Sequence, residues 1–516
     1  MGRALSISVA TMLSRVLGLT RDQLFAALVG ANAYSDAYLA AFRIPNLLRD
    51  LFAEGALSAA FVPTFVHYRC HRGSEEAFRL GNLVVGIILV SAGALAFLGI
   101  LCAGPLVAAI APGFVDQRAL TVLLTRIMMP FLLLVSLAAA AMGMLNAQSR
   151  FAAPALAPAL FNVGSIAVGI ALYRSGLEQK GAVIGWSLGT LFGGLLQLLA
   201  QLPSLRATGF RLRPRLHGAL KEPGVRRIGE LMGAAVIGLC ATQVNNVVNT
   251  IFASHQRGAV SFLNYAFRLV QFPLGVFGVA IATVAGAGVA AKVAEGDMAA
   301  VRETMGSAMR LVAFLSVPSA VGLIVLGRSI VALIYEHGRF GEADTAATAQ
   351  ALLFYALGLY SSSAVKIFAP AFYALGMARV PVLGSCLGMA ANLALNLFFY
   401  PSLGYRGVAL GASLGATANF ALLAIAWQRY CGGLGGASAR GQLVRVLCAS
   451  AMLALAAFAT SRALASLLPW RGISRQLCLA LVPLAAGATG YLAAARALGM
   501  AELKELGRIL PRRAAA

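Results

Sequence analysis

The chain has 516 residues, 60% of them hydrophobic and only 11% charged, with a formal net charge of +23 and a mean hydropathy of +0.82. Soluble domains carry about 25% charged residues, so a soluble globular fold is excluded. No run of short alternating strands is visible, which excludes a transmembrane barrel. What remains is an all-α polytopic membrane protein.

Taken in chain order, hydropathy and turn residues predict about fourteen transmembrane helices, near residues 4–29, 33–66, 80–110, 119–147, 153–174, 180–203, 228–254, 258–290, 305–336, 345–375, 380–400, 405–429, 443–468 and 474–498. The first span is not expected to be a cleavable signal, because charge persists through Arg15 and Arg21. In the second span Pro45 removes an amide hydrogen, and Gly55 follows ten residues later. The backbone is expected to bend or break between them, as helices do where they line a cavity. An even number of spans puts both termini on one side. The basic segment 206–227 and the basic tail (Lys504, Arg508, Arg512, Arg513) assign that side to the cytoplasm. These basic loops carry a single aromatic, Phe210, too few to stack successive bases, so nucleic acid is not an expected partner.

An internal repeat runs at a shift of about 226 residues. Ala41-Phe42-Arg43 recurs as Ala266-Phe267-Arg268, and Gly181-Ala182-Val183-Ile184-Gly185-Trp186-Ser187-Leu188-Gly189 recurs as Gly407-Val408-Ala409-Leu410-Gly411-Ala412-Ser413-Leu414-Gly415. One unit holds six spans, so the copies are parallel, and two halves flanking a site form a transporter plan. The expected divisions are an N-terminal six-helix lobe at 1–204, a cytoplasmic basic linker at 205–227, a C-terminal six-helix lobe at 228–430, and two extra helices with a basic tail at 431–516.

The chemistry concentrates in residues 4–66, which carry Arg15, Arg21, Arg43 and Arg49 with Asp22, Asp36, Asp50 and Glu54. A charge at bilayer depth costs about 3 to 15 kcal/mol, so these side chains must face a wet chamber and meet partners there. Arg15 and Asp22 share a helix face, as do Asp36 and Arg43. Arg268 is the lone charge of its span. Guanidinium forks bind phosphate oxygens in bidentate fashion and stay ionised when partly desolvated. A cluster of arginines therefore points to a phosphate or diphosphate ligand, against the plainer reading that each pairs with an acid or snorkels to a headgroup. No P-loop, HExxH or GxSxG motif occurs, so no catalytic residue is assigned and no cofactor is expected. Transport is expected to draw on an ion gradient or the membrane potential. His67, Cys70 and His71 could form a metal site, but a polar cap at the membrane surface is the plainer reading. The seven cysteines contain no CxxC pair and no disulfide framework.

Ser14-Arg15-Val16-Leu17-Gly18, Arg21-Asp22, Ser35-Asp36-Ala37 and Arg43-Ile44-Pro45-Asn46-Leu47-Leu48-Arg49 run into Phe52-Ala53-Glu54-Gly55-Ala56-Leu57-Ser58-Ala59-Ala60-Phe61-Val62-Pro63. This pattern resembles the MurJ (MviN) family of lipid II flippases, within the MOP exporter superfamily. The similarity continues through Ala111-Pro112-Gly113-Phe114, Asn249-Thr250-Ile251-Phe252-Ala253-Ser254 and Lys366-Ile367-Phe368-Ala369-Pro370-Ala371-Phe372-Tyr373. The resemblance implies a MATE-like fold of two six-helix repeats plus two C-terminal helices, in a bacterial inner membrane. It also implies a flippase that turns a lipid-linked peptidoglycan precursor (lipid II) from the cytoplasmic to the periplasmic leaflet. The family's cavity arginines fall on Arg15, Arg21, Arg49 and Arg268, and its cavity and gate acids on Asp22, Asp36 and Glu54. Beyond lipid II and membrane lipids no partner is expected, and the chain is expected to act as a monomer.

Two departures stand out. Asp50 occupies a position that is basic in many members, and Arg268 lacks the acids often found beside it; Phe267 and Gln271 stand there instead. Gln243, Asn245, Asn246, Asn392 and Asn396 are the candidates for a sodium site. They include no carboxylate, so no ion is assigned. The alternatives are an exporter of another polyprenyl-diphosphate saccharide, a cation-coupled drug exporter, and a membrane glycosyltransferase or polymerase. The last would need a base among the exterior acids Asp116, Glu178, Glu336, Glu342 and Asp344, none of which has a recognisable setting.

Overall fold

The computed structural model describes residues 2–51, 57–435, 439–467 and 472–503, and every regular element among them is helical. Ten helices are long and apolar enough to cross a membrane, or eleven if the pair Glu342–Leu357 and Leu359–Ala374, bent by 44°, forms one span. The chain is thus an all-α polytopic membrane protein. Its first unit opens with α1 (Gly2–Val29) and α2 (Ala33–Leu48), followed by α3 (Ser58–Leu101) and α4 (Ala103–Ile110). Then come α5 (Arg118–Met128), α6 (Phe131–Ala147), α7 (Ala152–Ser175), α8 (Gln179–Leu199), the short α9 (Leu202–Arg206) and α10 (Pro223–Ala253). At 16 residues α2 rises only about 24 Å, short of the ~30 Å hydrocarbon layer.

Gly73 interrupts α3 with φ 87° and ψ 171°. Only glycine takes that conformation without strain, so α3 consists of two successive helices joined by a sharp turn. The expected disturbance after Pro45 takes the form of a π-helical widening at residues 49–51; residues 52–56, with Glu54 and Gly55, lie outside the described residues. A second π-helical stretch, Leu274–Val279, separates α11 (Ala259–Pro273) from α12 (Ala280–Ala294). The sequence shift of 225 to 226 carries 49–51 into this second stretch. Such π-bulges are frequent at functional sites.

Two compact units divide the chain: Met1–Ser261 with Gly338–Phe340, and Phe262–His337 with Gly341–Ala516. In the first, α1 packs on α7, α3 on α6, and α7 on α8, while α10 packs on α3 and so belongs to this unit. Its core gathers Phe61, Phe65, Phe131, Met144 and Phe210. The α1–α2 turn is tight. Gly30, at φ 82°, would bring a Cβ to 2.8 Å from the Arg339 carbonyl oxygen, and Asn32 caps α2 in a capping box with Ser35.

The second unit continues with α13 (Met298–Tyr335), α14 (Glu342–Leu357), α15 (Leu359–Ala374), α16 (Arg379–Leu403), α17 (Tyr405–Cys431), α18 (Ala439–Leu467) and α19 (Ile473–Ala497). Phe368, Phe372 and Trp427 centre its main core. The last two helices pack on each other and on α13, where the Tyr491 hydroxyl donates to the Phe314 carbonyl at 2.6 Å.

Candidate functional site

Three polar clusters are built into the first unit, each on helices that are otherwise apolar. The first sits on α1. Arg21 donates through Nη2 to Asp22 Oδ1 at 2.8 Å and through Nε to the same oxygen at 3.2 Å. Both side chains are largely buried, at 16% and 17% exposure. The Arg21 guanidinium also lies 5.4 Å from the centroid of the Phe161 ring on α7, a distance that permits cation–π attraction. Phe161 ends a row of rings: Tyr38 stacks with Phe42 at 6.0 Å, Phe42 meets Phe131 at 5.6 Å, and Phe131 meets Phe161 at 5.7 Å. The Tyr38 hydroxyl is anchored to Thr190 Oγ1 at 2.9 Å. Arg21 is therefore held by a carboxylate and seated on a rigid aromatic surface. Arg15, a turn and a half earlier, is exposed. Asp22 shares its helix face, yet engages Arg21, its immediate neighbour in the chain.

The second cluster lies at the end of α2. Arg49 Nη2 reaches Asp50 Oδ1 at 2.9 Å. The other oxygen of Asp50 accepts from Gln243 Nε2 on α10 at 3.1 Å and from Asn46 Nδ2 at 3.4 Å. The acid that replaces an expected basic residue thus holds Arg49, and α10 holds the acid. Arg43 is half-buried on the same helix.

The third cluster surrounds Asp36, whose side chain is fully buried. Its Oδ2 accepts from the Gly258 amide at 2.6 Å, and its Oδ1 from the Ser261 amide at 2.8 Å and the Ser261 hydroxyl at 2.7 Å. These groups form the first turn of α11, so a carboxylate from α2 caps a helix N-terminus, where the dipole favours negative charge. Beside it Ser35 Oγ lies 2.8 Å from Ser261 Oγ. The two serines are 226 residues apart in the chain. Nothing local in the sequence signals Ser261 or Phe161, and Gln243 reads there only as a neutral candidate for an ion site.

Arg268 belongs to the second unit, where it is exposed on α11 beside Phe267, whose ring lies 5.6 Å from that of Tyr355. Glu54 lies outside the described residues. No group of three histidines, cysteines or acids that could hold a metal occurs among the described residues, and His67, Cys70 and His71 form none. His67 and His71 stack at 4.3 Å on an exposed helix surface.

Ten or more long apolar helices among the described residues, with arginine–aspartate pairs on α1 and just past the end of α2, define a multi-pass membrane protein with charged groups built among its helices, the make-up of a transporter. The fold agrees with solved structures: "Lipid II flippase MurJ, inward closed conformation" superposes with a TM-score of 0.79 at 24% identity, covering 98% of this chain and 99% of that one. An inward-facing multidrug MATE transporter of the MOP superfamily superposes with a TM-score of 0.69 at 14% identity, covering 83% of this chain and 98% of its own. The sequence model described as "Lipid II flippase MurJ" matches residues 25–472. A probable lipid II flippase MurJ from Vibrio cholerae is 36% identical over 429 residues, covering 81% of each chain. One from Rhizobium meliloti is 34% identical over 524 residues, covering 99% of this chain and 96% of its own. The chain belongs to the MurJ lipid II flippase family of multi-pass inner-membrane proteins, which are transporters and not enzymes.

Proposed function

We propose that this chain, a lipid II flippase by family, carries its substrate from the cytoplasmic to the periplasmic leaflet by alternating access, gripping the diphosphate with Arg15, Arg21, Arg49 and Arg268. The observation that carries this reading is the pairing inside α1 and α2. Arg21 and Arg49 each face a carboxylate from the next residue, an arrangement that balances the charge of a partly buried cation while it waits for an anion. A diphosphate offers more charge and more oxygens than one carboxylate, so it can displace Asp22 and Asp50 and take both forks in bidentate contact. Asp22 and Asp50 then act as placeholders.

Asp36 acts as a latch between α2 and the first turn of α11, and with Glu54 it takes part in gating. In our reading fourteen helices cross the membrane as two parallel six-helix repeats, at 1–204 and 228–430, with two more after residue 431. Both termini are cytoplasmic and the monomer is the working unit. The turn at Gly73, the bent α14–α15 pair and the matched π-helical stretches support this count. The inside-negative potential assists, since each negative charge moved outward gains about 2.3 kcal/mol per 100 mV.

Complementation tests the reading. In a strain depleted of its own lipid II flippase, Arg15→Ala, Arg21→Ala and Arg268→Ala should each fail to sustain growth while reaching the membrane at normal levels. Normal growth with all three would overturn it.

A further inference from the structure

The basic segment after α9 is not a free loop. Phe210 is buried, with its ring 5.5 Å from Phe78 of α3. Arg150 donates to the carbonyls of Ser204 and Ala207 at 3.4 and 3.2 Å. From there the chain runs along α3 without regular structure of its own. Asn82 of α3 holds it at three points. Asn82 Nδ2 donates to the Arg211 carbonyl at 3.1 Å, Asn82 Oδ1 accepts from the Arg213 amide at 2.7 Å, and the Asn82 carbonyl accepts from the Arg215 amide at 3.2 Å. Pro214, which has no amide hydrogen, falls where none is used. At Gly86 an added Cβ would come to 2.2 Å from the Arg215 carbonyl oxygen, so the two backbones touch.

The docking level matters. Between Arg79 and Asp116 the sequence has no charged residue, and Asn82 and Gly86 lie in the first two turns of that stretch. The segment therefore lies where α3 enters the hydrocarbon. Its sequence alternates: Arg211, Arg213 and Arg215 interleave with Leu212, Pro214 and Leu216. All three arginines are exposed, and Leu212, Leu216 and Leu220 remain 53%, 53% and 78% exposed. Leucines left open beside pinned arginines suit a boundary that is apolar on one side and anionic on the other.

We propose that residues 211–216 form a membrane-surface strap that binds anionic glycerophospholipid headgroups. The guanidiniums of Arg211, Arg213 and Arg215 contact lipid phosphates, and Leu212 and Leu216 enter the acyl boundary. The strap recruits lipid from the bilayer and is separate from the arginines on α1 and α2.

The test uses the full-length protein in bilayers of equal phosphatidylglycerol and phosphatidylcholine, each spin-labelled in turn, with the motionally restricted fraction read by electron paramagnetic resonance. Native protein should prefer phosphatidylglycerol. The triple variant Arg211→Gln, Arg213→Gln, Arg215→Gln should lower that preference by at least about threefold. Arg118→Gln, Arg174→Gln, Lys180→Gln, which removes equal charge from other exposed sites, should leave it unchanged. A nitroxide on Leu216→Cys should be more accessible to oxygen than to a polar nickel complex, and one on Glu75→Cys, beside the Gly73 turn, the reverse. The proposal fails if the strap variant keeps its lipid preference, if position 216 reports water, or if the variant loses lipid II binding while its phosphatidylglycerol preference is intact.

Discussion

Replacing Asp36 by asparagine isolates the latch. The substitution keeps the shape but puts an amide NH₂ where one carboxylate oxygen now accepts. If Oδ1 keeps the amide and hydroxyl of Ser261, at 2.8 and 2.7 Å, the new NH₂ faces the Gly258 amide, now bonded at 2.6 Å, and two donors oppose each other. Losing a hydrogen bond to a charged group costs about 1.5–3 kcal/mol, and losing the carboxylate at a helix N-terminus costs about 0.3–2 kcal/mol more. The neutral amide is cheaper to bury, which offsets part of this. A net of about 2 kcal/mol remains, equivalent to roughly thirtyfold in the latch equilibrium. Hydrogen exchange of the peptide spanning 256–262 reads it directly, because the Gly258 and Ser261 amides are the bonded donors. Exchange there should speed up about thirtyfold, while peptides from the α18–α19 pair stay unchanged. Exchange within threefold of wild type at 256–262 would refute the latch.

Other expectations follow from the same contacts. Arg21→Lys keeps the charge but loses the two-pronged hold on Asp22 and the planar group over Phe161; affinity for a polyprenyl-diphosphate saccharide should fall about five- to thirtyfold by equilibrium binding. Asp50→Asn removes the competitor for Arg49 and should raise that affinity about fivefold, the worth of an ion pair of roughly 1 kcal/mol. An unchanged or weaker affinity would show that Asp50 is not a placeholder. Gly358→Val would drive a Cβ to 2.8 Å from Ser413 Cα at the α14–α15 bend; overpacking of this kind costs about 1–3 kcal/mol, so the thermal denaturation midpoint should drop measurably while Gly229→Ala, at a helical position with open space around it, does not lower it.

Hydropathy made the helices legible because a bilayer tolerates little else. The predicted span at 380–400 appears as Arg379–Leu403, and that at 474–498 as Ile473–Ala497. The identities of the site residues were also readable, since charges inside apolar runs announce themselves. Their partners were not. Helical spacing puts Asp22 on the face of Arg15, yet the shorter reach to Arg21 wins. Asp50 reads as an anomaly until Gln243, nearly two hundred residues later, is brought beside it. The basic run after residue 205 reads as a cytoplasmic linker; the buried Phe210 and the hydrogen bonds of Asn82, an unremarked amide in an apolar helix, show that it is tied down. Long-range hydrogen bonds leave no periodic trace.

Equilibrium binding of lipid II to the purified protein, with Arg15, Arg21, Arg49 and Arg268 replaced singly by alanine, tests the diphosphate grip most directly. The account predicts that each substitution weakens binding at least about tenfold, the loss of one charge-assisted contact, with the folded protein intact by thermal denaturation. Affinities within twofold of wild type for all four variants would contradict it.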